Sequence, residues 1–296
     1  MDNRHVDVIR RVGATAGINS DDAVALHGRA NAVYLLPRAN AVLRLRLTRH
    51  SQEWEKRLRI SVEVTRWLVE QNFPTIEPLP IDQPISVDGW SATFWKYETV
   101  QDPGTATVAR LAEIIRQLHA APVPPFDLPD TDPLGSLPTD LDNDGFLNNE
   151  HREWLQAQVD DIKREYPNTS VPLGQGLIHG DAHVSNILDV SGLYLLGDWD
   201  SVSYGPLVQD LIPTLHRVRH FEHPHAEWRE LCMTYGVDPG IEHHAGVQLL
   251  QRARELRSLA AYIRSASQFD IRIELEKRLR TLMTGRFQAW TLSCSP

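Results

Sequence analysis

Polar side chains set among strand-forming residues constrain this chain more than any other feature of its sequence. Residues 177–200 read LIHGDAHVSNILDVSGLYLLGDWD, a segment in which short apolar runs alternate with chemically active groups. Polar groups between buried strands cost free energy unless they are paired or used. We therefore expect a functional site here, and six side chains are its candidates: His179, Asp181, His183, Asn186, Asp198 and Asp200.

The order of these side chains is the one that phosphoryl transfer requires. Asp181 is followed five residues later by Asn186. A predicted hairpin around residues 191–192 then returns the chain, so that Asp198 comes to lie beside Asn186. One carboxylate can orient or deprotonate the attacking hydroxyl, while an Asn and a second Asp hold Mg²⁺ through oxygen ligands. Protein kinases use H-R-D-L-x-x-x-N and D-F-G for the same roles.

The segment resembles the aminoglycoside phosphotransferase and choline kinase family, small-molecule relatives of the protein kinases. The family signature is H-G-D-x-H-x-x-N followed by a metal-binding Asp, and every fixed position is present. The resemblance implies an α+β, protein-kinase-like fold of two lobes. We expect a small antiparallel-sheet lobe that binds nucleotide at residues 1–98. A larger helical lobe, with the catalytic loop and the acceptor site, is expected at residues 99–296.

Weaker motifs of the same family follow in the family's order. LHGRANAVYLL, with Gly28, resembles the nucleotide loop; AVLRL resembles the strand that reaches the phosphates, with Arg where protein kinases place Lys; TFWKY resembles the hinge that holds the adenine. RQLHAAP resembles the helix end before the substrate region, and GPLVQDL the segment that braces the catalytic loop. The nucleotide contacts implied by the resemblance are Asn31, Arg44, Phe94, Trp95 and Tyr97.

The resemblance also implies a role for each residue of the central segment. Asp181 is the catalytic residue, and Asn186 and Asp198 bind Mg²⁺. The catalytic loop has three supporting residues: His179, His183 and Asp210. ATP or GTP is the implied co-substrate. Asp200 is interpreted either as a neighbour of the metal or as a salt-bridge partner.

One position departs from the family pattern. Relatives carry a Glu on the first long helix, where it pairs with the basic residue of the strand. Counting back from RWL places Ser61 at that position. Glu55 and Glu63 are nearby, but they point elsewhere on a straight helix. The partner of Arg44 is therefore left open.

The composition of the chain limits the classes of molecule that it is expected to bind. The net charge of −9 argues against a nucleic-acid partner, and no apolar run is long enough for a membrane span. None of the lysines stands in a G-K-[ST] triplet, which excludes a Walker-type phosphate loop. Two cysteines outside any C-x-x-C pair fit a reducing, cytoplasmic location. The expected partner is a small-molecule hydroxyl acceptor, and the acidic balance favours a cationic one such as an aminoglycoside, or a sugar-like molecule.

The sequence leaves two alternative functions open and contains one histidine cluster that is not predicted to bind a metal. A nucleotide-binding pseudokinase would share the fold without transferring phosphate. A metal-dependent hydrolase would use His179, Asp181, His183 and Asp198 as metal ligands. A separate histidine cluster lacks an H-E-x-x-H or cysteine pattern and is predicted to be a solvated, partly helical surface: His216, His220, His223 and His225.

Overall fold

The computed structural model describes residues 3–28, 32–100 and 106–291. The amino-terminal lobe is a five-stranded antiparallel sheet, in the order β1-β2-β3-β5-β4, with two helices. This arrangement confirms the predicted sheet lobe. Its elements are α1 Asn3–Ala16, β1 Val24–Gly28, β2 Ala32–Leu36, β3 Ala41–Leu47, α2 Gln52–Glu70, β4 Ile85–Val87 and β5 Trp90–Lys96.

Alternation along β3 gives the sheet two different faces. Leu43 and Leu45 are buried in a core that also holds residues of α1. Side chains alternate across a strand, so Arg44 lies on the opposite face. Its register partner on β5 is Thr93, which shares that face. The sheet therefore presents a basic side chain away from its apolar core.

The carboxy-terminal lobe is mostly helical and carries two small two-stranded sheets. This confirms the predicted helical lobe. Its strands are β6 Gln175–Ile178, β7 Ile187–Val190, β8 Leu193–Leu196 and β9 Ser203–Pro206. Its helices are α3 Val108–His119, α4 Leu137–Asp142, α5 Asn149–Glu165, α6 Ile212–His220, α7 His225–Tyr235, α8 Ala245–Arg257, α9 Ala260–Arg264 and α10 Phe269–Thr284.

One apolar core reaches from α2 into the carboxy-terminal lobe. Trp67 and Leu68 of α2 belong to the same buried cluster as Leu111 of α3 and Trp199, which follows β8. The indole nitrogen of Trp199 donates a hydrogen bond of 2.8 Å to Thr75 Oγ1, just beyond α2. The two lobes are thus packed together beside the segment that carries the candidate functional residues.

Two helices of the carboxy-terminal lobe end earlier than their apolar pattern predicts. The pattern from 247 to 263 indicates one helix, but the chain leaves α8 at Arg257 and resumes as α9. The pattern from 275 to 290 also indicates helix, whereas α10 stops at Thr284 because Gly285 adopts φ 65°, a left-handed helix-ending conformation. No helix within the described ranges is both long and apolar enough to cross a bilayer.

Candidate active site

A buried carboxylate holds the catalytic loop, which we define as residues 179–186. Asp210 is 0% exposed and accepts hydrogen bonds from the amides of His179, at 2.8 Å, and Gly180, at 2.7 Å. His119 at the end of α3 adds a third contact, 3.1 Å from Nε2 to Asp210 Oδ2. Its Nδ1 lies 2.8 Å from the Tyr235 hydroxyl. This chain of contacts fixes the backbone immediately before Asp181, and sequence reasoning missed His119 in it, although RQLHAAP contains it.

Both ring nitrogens of His179 are used by the backbone. Nε2 lies 2.9 Å from the Gly197 carbonyl oxygen, which can only accept, so Nε2 carries the proton. Nδ1 accepts from the Asp181 amide at 3.3 Å. The ring is buried and packs on Trp199, with centroids 4.8 Å apart. Neither nitrogen is available to a metal in this arrangement, which counts against the hydrolase alternative.

Gly180 has no room for a side chain, which gives a stability prediction. Its φ is 79°, and a Cβ here would overlap the Ser201 carbonyl oxygen. We expect Gly180→Ala to lower the free energy of unfolding by about 2–4 kcal/mol, because strain and overlap add. Urea unfolding measures this. Gly192→Ala is the matched control, since Gly192 has φ 89° but open space around it, and it should cost only about 1–2 kcal/mol. Equal losses for the two variants would contradict the packing argument.

Asp181 lies in a positive environment. Arg254 of α8 forms an ion pair with it, at 2.6 Å between Nη1 and Oδ1. Burial by itself raises the pKa of Asp181, but the charges of Arg254 and Arg257 outweigh burial and hold the pKa well below its ordinary value. The carboxylate is therefore ionised at neutral pH. Arg254 stands far away in sequence, and no motif pointed to it.

His183 lies against the same carboxylate. Burial lowers the pKa of His183, and although Asp181 opposes this, Arg254 and His179 add to the lowering. The ring is therefore neutral at physiological pH and contributes no positive charge of its own. The structure thus places His183 within the catalytic loop as an uncharged, half-buried group.

The β7–β8 hairpin brings Asn186 and Asp198 to the same end. Ile187 pairs with Leu196, and the Gly197 amide donates to the Asn186 carbonyl at 2.8 Å. The Asn186 side-chain nitrogen donates to the Asp181 carbonyl at 3.0 Å, which leaves the amide oxygen as its ligand atom. Asp198 adopts φ 62°, a left-handed conformation that Asp tolerates, and its side chain is 47% exposed.

These two side chains suit Mg²⁺. One amide oxygen and one carboxylate are hard donors of the kind this ion prefers, and the ion usually takes few protein ligands and completes its shell with water and phosphate. The amide orientation of Asn186 is fixed by its bond to the Asp181 carbonyl. The donor atoms of Asn186 and Asp198 therefore fit the predicted metal.

Arg44 finds its partners on the carboxy-terminal lobe. One guanidinium nitrogen lies 2.9 Å from Asp198 Oδ1 and 3.1 Å from Asp200 Oδ2, and the other lies 3.2 Å from Asp200 Oδ1. Burial disfavours the charged guanidinium, but Asp200 and Asp198 outweigh it and raise the pKa of Arg44. Asp200 also lies 3.6 Å from Arg46. Asp200 is thus a salt-bridge partner of the strand arginines.

The helix α2 offers Arg44 no acidic partner. Ser61 is buried, and its hydroxyl has no hydrogen-bond partner among the residues described. Glu63 is exposed, and Glu55 accepts a hydrogen bond from Ser86 at 2.9 Å. The open question of the sequence is answered by Asp200, which takes the place of the helix Glu as the buried partner of the arginine.

The hinge residues differ in how accessible they are. Phe94 is 0% exposed in the core of the sheet lobe, and its amide and carbonyl are bonded to Gln83 and Leu79. The geometry therefore does not support the prediction that Phe94 contacts nucleotide. Trp95 is also buried, but it lies on the face of the sheet that carries Arg44, as strand alternation requires. Tyr97 is half-buried, at the end of β5.

Three residues of the predicted nucleotide loop, Arg29, Ala30 and Asn31, lie outside the described residues. Gly28 ends β1, where it pairs with Ala32 of β2. The strands that would flank a nucleotide loop are therefore adjacent and antiparallel.

The histidine cluster proved to be partly internal. His216 and His220 are buried, so the prediction of a solvated surface was wrong for these two. His220 lies 2.8 Å from Glu255, and its ring stacks on Trp290 at 3.9 Å between centroids. These two histidines and Glu255 form the one group of three ligand-type side chains close enough to share a metal, within the parts of the chain that are described. Burial and the charge of Arg254 lower the pKa of His216, and that same positive charge opposes a bound cation.

Comparison with known proteins agrees with this geometry. The model of the phosphotransferase enzyme family matches residues 23–271. No curated protein sequence matches the chain significantly. Among solved structures, a microcompartment-associated aminopropanol kinase is similar, with a TM-score of 0.69 and 17% identity over 95% of this chain and 99% of that one.

Two further solved structures show the same fold. A spectinomycin phosphotransferase in complex with ADP and spectinomycin has a TM-score of 0.61 and 16% identity, over 93% of each chain. A choline/ethanolamine kinase family protein from Mesorhizobium loti has a TM-score of 0.62 and 16% identity, over 95% of this chain and 94% of that one. With the family match spanning both lobes and the loop and hairpin residues gathered at one site, the chain belongs to the phosphotransferase enzyme family.

Proposed function

We propose that this protein is a Mg²⁺-dependent kinase that transfers the γ-phosphate of ATP or GTP to a hydroxyl group of a small molecule. One observation carries the proposal: the catalytic loop and the β7–β8 hairpin gather Asp181, Asn186 and Asp198 at one site, and Arg44 reaches that site from the sheet lobe. These are the side chains that phosphoryl transfer by a kinase requires. The protein catalyses such a transfer mainly by positioning the reactants and stabilising charge.

The residues of the chain divide the reaction between them. The Asp181 carboxylate accepts the proton of the acceptor hydroxyl. At the same time the oxygen of that hydroxyl forms a bond to the γ-phosphorus. The bond from that phosphorus to the bridging oxygen breaks, and the nucleoside diphosphate leaves with the electron pair. Asn186 and Asp198 would hold Mg²⁺, which neutralises charge on the phosphates when bound. Arg44, beside Asp198, would contact the α- and β-phosphates, with Trp95 and Tyr97 near the base.

Solved structures with a similar fold support a small-molecule acceptor. The solved aminopropanol kinase and spectinomycin phosphotransferase are named for small molecules. We place the acceptor between Asp181 and the helices of the carboxy-terminal lobe, with residues 122–150 contributing to specificity. A cytoplasmic location supplies both nucleotide and Mg²⁺ and suits this reaction.

The proposal is tested by transfer of labelled γ-phosphate to a panel of alcohols, with the Mg²⁺ concentration varied. We expect Asp198→Asn to lower kcat/KM by about 10²–10³-fold, because a metal ligand loses its charge. Part of the loss should be recovered at high Mg²⁺. Asp189→Asn, in the same hairpin, is the matched control, since its oxygen can still accept from the Gly192 amide.

Other outcomes separate the proposal from the pseudokinase alternative. Nucleotide binding without transfer to any alcohol, in the wild-type protein, would favour a regulatory pseudokinase. Transfer that does not depend on a divalent ion would contradict the roles given to Asn186 and Asp198.

A further inference from the structure

Two arginines of α8 lie beside the catalytic carboxylate. Arg254 and Arg257 are three residues apart, so they project from one face of the helix. Arg254 pairs with Asp181 at 2.6 Å, and Arg257 donates to the Ser201 hydroxyl at 3.0 Å. Both arginines line a cavity whose walls all belong to the carboxy-terminal lobe. The cavity is also lined by Gly180, which directly precedes Asp181 in the catalytic loop.

The cavity contributes no acidic side chain of its own. Apart from the two arginines it is lined by uncharged residues: Pro133, Gly180, Gln209, Ile212, Pro213 and Leu250. Two cations thus face a space next to one carboxylate, Asp181. The surplus positive charge lies where the acceptor must bring its hydroxyl.

The surroundings leave this positive charge poorly compensated. Burial lowers the pKa of Arg257; the Asp181 carboxylate opposes this, but Arg254 adds to the lowering. Asp132 acts on Arg257 from an exposed position, and its Oδ1 accepts from the Leu134 amide at 2.9 Å. The Nε of Arg254 is buried and has no hydrogen-bond partner in the described part of the chain. An anion entering the cavity would stabilise both cations.

We propose that the acceptor carries a small acid group, a carboxylate or a phosphate, which binds Arg254 and Arg257 beside the hydroxyl that is phosphorylated. This inference rests on the proposed kinase activity and names its substrate class. The cavity volume of about 20 Å³ is room for about one water molecule, so one oxygen of the acid group enters it, while the rest of that group and of the acceptor lies outside. A polycationic aminoglycoside would place like charge against these arginines, which is unfavourable.

The acid group would also change the state of Asp181. In the structure Arg254 forms an ion pair with the Asp181 carboxylate. An anion that shares Arg254 weakens that ion pair and leaves Asp181 freer to bond to the incoming hydroxyl. Binding of a negatively charged acceptor thus releases Asp181 from part of its ion pair with Arg254.

The first experiment compares acceptors that differ only in the acid group. Transfer from labelled ATP with Mg²⁺ is measured for glycerate against glyceramide, for glycerol 3-phosphate against glycerol, and for ethanolamine and spectinomycin. We expect an acid to exceed its uncharged partner in kcat/KM by at least about tenfold. The carboxylate and phosphate pairs show which acid the site takes.

Variants of α8 then locate the effect. Arg257→Gln should raise KM for the acid about 10–100-fold and change kcat little, because a charge-assisted contact is lost from binding. The KM for ATP should stay the same. Arg252→Gln is the matched control on the same helix, since Arg252 pairs with Glu165 at 3.1 Å and does not line the cavity.

Each outcome decides the inference. Efficient transfer to ethanolamine or spectinomycin, with none to the acids, would overturn it and leave the kinase proposal intact. If nothing in the panel is phosphorylated, glycerate and glycerol 3-phosphate are titrated by calorimetry into protein that holds Mg²⁺ and a non-hydrolysable ATP analogue. Weaker binding to Arg257→Gln than to Arg252→Gln supports the inference, and equal binding overturns it. Failure to bind nucleotide at all would overturn both proposals.

Discussion

Asp181→Asn should lower kcat by about 10²–10⁴-fold while nucleotide affinity stays within a factor of about two. The carboxylate has a pKa held below its ordinary value, so it is ionised at neutral pH and can accept the hydroxyl proton. An amide of the same shape cannot accept that proton, although it still fits the loop. The measurement is transfer of labelled phosphate, with nucleotide binding followed separately by calorimetry.

A structural explanation of this loss must be excluded. Asp181→Asn removes the charge that balances Arg254, so its free energy of unfolding is measured alongside its turnover. Asp161→Asn on α5 is a matched control, because it removes a carboxylate that lies outside the catalytic loop and pairs with Arg164 on its own helix. Unchanged turnover in Asp181→Asn would remove this residue from the mechanism, whatever its effect on stability.

The second large effect is expected on folding. Asp210→Ala should lower the free energy of unfolding by about 2–5 kcal/mol, because two buried amides and His119 lose their common acceptor. Turnover should fall as well, since the same contacts fix the backbone before Asp181. Urea unfolding gives the first quantity and a transfer assay at a temperature where the variant is folded gives the second.

Two milder variants calibrate this result. Asp210→Asn keeps one acceptor oxygen, so it should lose less stability than the alanine variant. Tyr235→Phe removes only the outer contact to His119 and should cost about 1 kcal/mol. A loss of less than that for Asp210→Ala would show that Asp210 does not hold the loop.

The parts of the site that could be predicted are local in sequence. His179, Asp181 and Asn186 belong to one loop, and Asp198 follows one hairpin, so their spacing alone brings them together. The two-lobed fold follows from the same resemblance, supported by strand alternation first and helical periodicity later. The fold prediction was confirmed by the architecture and by the family match, and the structure brings the loop and hairpin residues together as their spacing predicts.

The parts that could not be predicted depend on long-range packing. Arg254 reaches Asp181 because α8 packs beside the catalytic loop, and no spacing rule encodes that contact. Phe94 was predicted to contact the nucleotide, but strand alternation directs its side chain into the core of the sheet lobe. His216 was predicted to lie on a solvated surface because its cluster lacks an H-E-x-x-H or cysteine pattern, whereas the packing of α6 buries it.

The two aspartates that meet Arg44 have a consequence for how the cleft is assembled. In protein kinases the strand cation pairs with a mobile helix, and the metal-binding Asp lies on a separate element, so each can be withdrawn independently to switch the enzyme off. Here Asp198 and Asp200 are two residues apart on one tight segment, and both touch the same guanidinium. Because neither ion pair involves α2, a tilt of that helix alone would leave Arg44 joined to both carboxylates.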